Sequence, residues 1–96
     1  MTTPVILLIE SDPHTRRARA GALIEGGYWP VPVDSAEEAL RRCTDSTLPP
    51  LTLAVIHATT DPALITRLQE RLGCPVLVMG AAVALSEALD LSLIHI

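Results

Sequence analysis

The sequence predicts an α/β domain built on an open parallel sheet, and three observations predict it. Aliphatic runs recur at Val5 to Ile9, Leu53 to Ile56 and Val76 to Met79, each unbroken by polar residues, as in strands covered on both faces. Between them lie segments of helical period with their own start and stop residues. The connections are short, as in strand-helix-strand units joined by right-handed crossovers.

Each element has its own justification. After the first strand, Asp12 offers an N-cap and Pro13 the first helical position. Ala20, Leu23 and Ile24 supply the spacing of a core-facing helix, which Gly26-Gly27 stops. Tyr28 to Val33 reads as a strand, but Pro30 and Pro32 cannot donate to a ladder and restrict it to a sheet edge. Ser35-Ala36-Glu37-Glu38 is a capping box, with Ala36, Ala39, Leu40 and Cys43 on one face of the helix it begins. Thr44 to Pro50 is a polar loop that ends in prolines.

The strand from Leu53 to Ile56 follows and delivers His57 at its end. Asp61-Pro62 repeats the cap signal, and Leu64, Ile65, Leu68 and Leu72 keep a period of 3.6 until Gly73. Cys74-Pro75 leads into the fourth strand. Ala81, Ala84, Leu85, Ala88 and Leu89 allow one more short helix. An edge position for the second strand favours the flavodoxin-like order 2-1-3-4-5, in which strands 1 and 3 flank the switch point where ligands bind.

Composition narrows the function. A chain of 96 residues is one domain at most. With no Phe, one Trp and one Tyr, its core must be aliphatic. The formal charge is −4, and the seven Arg form no stripe with interleaved aromatics, which argues against direct nucleic-acid binding. The chain contains no Lys, so amine chemistry is excluded. Cys43 and Cys74 have no metal-like spacing and read as reduced thiols. The first apolar run is too short to span a membrane and lacks the basic flank of a signal peptide, so a cytoplasmic address is expected.

Val5-Ile6-Leu7-Leu8-Ile9-Glu10-Ser11-Asp12-Pro13, with Arg17 four residues on, resembles the opening of a receiver domain of two-component response regulators. Gly27-Tyr28 and then Val33-Asp34-Ser35-Ala36-Glu37-Glu38-Ala39-Leu40 resemble its second strand and helix. The resemblance covers residues 4 to 90 or so and implies a flavodoxin-like regulatory domain of a phosphorelay. It also implies a site: an acceptor Asp after strand 3, two acids after strand 1 for magnesium, a hydroxyl after strand 4 and a Lys after strand 5. The acids would hold the ion, and the ion and Lys would neutralise phosphoryl charge.

Carried over residue by residue, most of that pocket is missing. Glu10 matches the first acid, while Ser11 stands where the principal metal-binding Asp belongs. His57 stands at the acceptor position and Gly80 where the hydroxyl should be. Pro62 follows His57 by five residues rather than the usual four, so the register also admits Ala58 as the acceptor position. Asp12 and Asp61 are the nearest carboxylates, and both sit where helix caps are needed.

His57 has a plain reading, a partly buried imidazole hydrogen-bonded to Glu10 or a carbonyl. Two sharper readings stand beside it: a small metal site with Glu10, with or without His14, or a pH-sensitive pair with Glu10. His14 is more simply an exposed residue of the first helical turn.

The expectation is therefore a degenerate receiver-like domain over residues 1–90, with Glu10, Ser11, Asp12, His57 and Gly80 as the remains of the phosphoacceptor pocket. No catalytic residue, cofactor or metal is assigned. The expected partner is another protein or a covalently attached output domain. Residues 91–96 match no family motif and resemble translated adapter sequence, so the reading frame is expected to be truncated, with the fifth strand and helix missing or replaced by this tail. That loss puts homodimerisation through the usual surface in doubt. The alternative is a phosphoryl- or metal-binding domain that uses His57 in place of the acceptor Asp.

Overall fold

The computed structural model describes residues 3–57 and 60–79. Along the chain run β1 (Val5–Ile9), α1 (Pro13–Glu25), β2 (Trp29–Val33), α2 (Ala36–Thr44), β3 (Leu53–His57), α3 (Pro62–Leu72) and β4 (Val76–Met79). All strands are parallel in the order β2-β1-β3-β4. This is the flavodoxin-like order expected from the prolines, with β2 at an edge. The expected helix at 81–89, Gly80, Ala58 and the 91–96 tail lie outside the described residues.

The continuous apolarity of β1 and β3 follows from cover on both sheet faces. On one face Leu7, Ile9, Val31, Val33, Ala54 and Ile56 pack with Ala36 and Ala39 of α2 and Leu68 of α3. On the other, Ile6, Leu8, Leu53, Val55 and Met79 pack with Leu23 of α1. Among the described residues no polar or charged side chain is buried. Each fully buried Leu or Ile contributes about 1.5–3 kcal/mol relative to exposure, so these two clusters hold the sheet together.

Hydrogen bonds fix where the strands start. Thr52 and Val5 exchange bonds: the Thr52 N–H donates to the Val5 carbonyl at 2.8 Å, and the Val5 N–H donates to the Thr52 hydroxyl at 3.2 Å. At the far ends of α2 and α3, the Arg71 guanidinium donates to the Thr44 hydroxyl at 3.0 Å, and the Cys43 thiol lies 3.3 Å from the Arg71 carbonyl. Both cysteines are free thiols and partly buried.

The caps behave as their residue types dictate. The Asp12 carboxylate accepts from the Thr15 N–H at 2.8 Å, with Pro13 opening the helix. The Ser35 hydroxyl accepts from the Glu38 N–H at 3.1 Å. The return bond of this box reaches one residue further back than the standard pattern, since Glu38 accepts from the Asp34 N–H at 3.4 Å. Gly73 ends α3 at φ 67, a left-handed conformation that an L side chain resists.

One expected core residue is displaced. Ile24 is 63% exposed, because α1 ends at Glu25 and only Leu23 of its last turn reaches the sheet. Helical spacing placed Ile24 beside Leu23 on the inner stripe.

Candidate functional site

Strand register builds the site. Pairing runs Ile9↔Val33 between β1 and β2, and Leu8↔Val55 between β1 and β3. One step beyond the first and two beyond the second, Asp34, Glu10 and His57 form a row across three adjacent strand ends. Neighbouring strands lie about 4.8 Å apart, so the row spans about 10 Å. His57 itself is paired with Met79 of β4 and is half-buried.

A cleft of about 620 Å³ opens along this row. Its floor is Ile9, Glu10, Ser11 and His57; one wall is the start of α2 with Asp34, Ser35, Ala36 and Glu37; the other is Thr60, Asp61 and Leu64 at the start of α3. The Thr60 N–H donates to the His57 carbonyl at 3.0 Å. Among the described residues four carboxylates thus line the cleft and no Lys or Arg does. Behind Glu10, the Arg16 guanidinium of α1 donates to the Glu10 carbonyl at 3.0 Å.

Three of the expected site residues, Glu10, Ser11 and His57, meet in this cleft. Asp12 does not line it: its carboxylate faces Thr15, accepting from the hydroxyl at 2.6 Å as well as from the N–H. Those two Thr15 bonds, side chain first, hold the Asp12 carboxyl below the usual range, with smaller help from His14 and Arg16. Gly80 falls outside the described residues. The alternative of a metal held by His57, Glu10 and His14 is not assembled, since no group of three or more His, Cys, Asp or Glu among the described residues could hold an ion. His14 is exposed on the first turn of α1.

Sequence reasoning missed the second half of the cleft. The sequence signals at Asp34, Ser35 and Glu37 point only to the second strand and the start of α2, whereas Asp61 is legible both as a cap and as a carboxylate near the acceptor position. Asp61 does both, since its carboxylate accepts from the Ala63 N–H at 3.0 Å while the residue lines the cleft. Asp34 is drawn below its ordinary range by hydrogen bonding with Glu38 first and Ser35 second, with weaker pulls from Arg16 and Arg41. The signal available was the edge position of β2: it sets the start of α2 beside the end of β1.

No family model matches the sequence, and no curated protein matches it. Solved structures do resemble it. The crystal structure of a response regulator receiver protein from Pseudomonas putida superposes with a TM-score of 0.68 at 22% identity, over 100% of this chain and 83% of that one. A response regulator from Thermotoga maritima superposes with a TM-score of 0.66 at 20% identity, over 93% of this chain and 76% of that one. At such identities the likeness shows the fold, which is that of a receiver domain.

Proposed function

We propose that this receiver-fold chain is a regulatory module of a signalling or transcriptional regulator that works by protein-protein interaction without aspartyl phosphate. The observation that carries the reading is the half-buried imidazole of His57 at the end of β3, in a cleft whose other ionisable lining groups are carboxylates. An acceptor carboxylate at that point would be the nucleophile in phosphoryl transfer, and a nearby amine would offset the incoming charge. The chain has His57 in the first place, and no Lys or Arg among the described residues lines the cleft for the second.

Two further features support it. Ser11 shortens the acid set after β1, and Asp12 is engaged as the cap of α1. The carboxylates that remain give the cleft a negative field that repels a phosphoryl donor. The module is regulatory rather than catalytic. No helix among the described residues is long and apolar enough to cross a membrane, and reduced thiols fit a cytoplasmic setting. The partner is a protein or an output domain on the same chain.

The test is incubation with magnesium and a small phosphodonor, and separately with a fluoride mimic of the phosphoryl group. The expected result is an unchanged mass and no magnesium-dependent spectral shift. Gain of one phosphoryl group that disappears in His57→Ala would overturn the reading in favour of His57 as acceptor.

A further inference from the structure

The outer edge of β2 carries no N–H group available to another strand. In a parallel strand, successive residues turn their N–H and C=O groups to opposite sides. The Trp29 N–H donates to the Pro4 carbonyl at 2.9 Å, and the Val33 carbonyl accepts from the Glu10 N–H at 3.1 Å. Residues 29, 31 and 33 therefore face β1, while 30 and 32 face outward. Both outward positions are proline, which has no N–H. The flanking outward donors are engaged: the Tyr28 N–H with the Leu23 carbonyl at 2.9 Å, and the Asp34 N–H with Glu38 at 3.4 Å. From 28 to 34 the edge offers acceptors alone.

The same segment needs protection. Between Glu25 and Asp34 there is no charged residue, and Tyr28, Trp29, Val31 and Val33 are strong β-formers. Trp29 is 64% exposed and lies beside the exposed Ile24. Sheet edges are commonly blunted by lysine, by an inward charge or by a bulge. Here the chain has no Lys, and β2 pairs with β1 over five consecutive residues without a bulge. Remove the prolines and this becomes an uncharged, apolar edge of the kind that templates intermolecular sheets.

We propose that Pro30 and Pro32 together close the β2 edge to strand addition, so that any association of the chain proceeds through other surfaces. This inference is independent of what the cleft does. It assigns the two residues a role in blocking a contact, and only both together cover the edge.

The test is the double variant Pro30→Thr/Pro32→Thr, which returns both donors with a β-forming side chain. Sedimentation over a range of concentrations is compared with the parent, and amide hydrogen exchange locates any new contact. The expected result is a rise of two-fold or more in weight-average mass at concentrations where the parent does not change, with the new amides at positions 30 and 32 protected. A variant that keeps the parent's circular dichroism and sedimentation overturns the proposal, as does association that leaves those amides unprotected. Should the double variant lose its folded spectrum, Pro30→Thr and Pro32→Thr alone are read in the same way. Each restores one donor, and no gain in association by either overturns the proposal.

Discussion

The bodies of β1 and β3 and the rim at their C-terminal ends obey different constraints although they are the same strands. Ile6 to Ile9 and Leu53 to Ile56 are all buried, between clusters on both sheet faces. Any change there leaves a cavity or a clash. One residue further on, Glu10 and His57 are half-buried and open onto the cleft. Packing no longer dictates the side chain. A receiver fold can therefore keep its sheet while the groups at its rim differ, because the packing of the sheet does not depend on them.

The largest test of this difference is cavity formation. Leu68→Ala and Leu7→Ala, both at fully buried positions, are expected to cost about 2–5 kcal/mol each in denaturant unfolding. Ser11→Ala, at an exposed rim position, is expected to stay within about 0.5 kcal/mol. A rim substitution as costly as a core one would break the comparison.

Backbone conformation gives the next contrast, with opposite signs at two glycines. Gly73→Ala forces an L side chain into φ 67 and is expected to cost about 1–2 kcal/mol. A Cβ there meets nothing within 4 Å, so the cost is conformational and not steric. Gly21→Ala, in the exposed interior of α1 with equally open space, is expected to stabilise by about 1 kcal/mol. Thermal unfolding of the two variants, shifting in opposite directions, checks both.

Ser35→Ala sharpens what the rim is. Ser35 lines the cleft, yet its hydroxyl caps α2, and losing that bond is expected to cost about 1 kcal/mol. Some rim residues are thus structural, which bears on how much could be read in advance. The strands, both Asp-Pro caps, the capping box and the edge position of β2 were legible because each is set by neighbours in sequence. Glu10, Ser11 and His57 were legible as strand-end residues. Asp34 and Glu37 as cleft lining were not, because only the strand order brings them to the same opening as Asp61. Ile24 was misplaced for the same reason: helical spacing sets the face of a helix, but not how far the sheet beneath it extends.

The smallest effect expected is acid sensitivity at the caps. Asp12 is held below its ordinary value by Thr15, and Asp34 by Glu38 and then Ser35. A carboxyl whose folded value is depressed binds protons more readily in the unfolded chain, so its contribution is complete above the unfolded value of about 3.9. It is lost as pH falls from there through the depressed folded value. Both groups are fully exposed, so water screens them and the loss is small. Asp12→Asn keeps a capping acceptor while removing the titration, and unfolding followed between pH 5 and 2 should show a shallower acid limb than the parent. An acid limb unchanged in both Asp12→Asn and Asp34→Asn would place the acid sensitivity elsewhere in the molecule. A flattened limb would show that these partnered carboxylates near the rim serve the start of a helix, so that rim groups of the same charge differ in whether the fold depends on them.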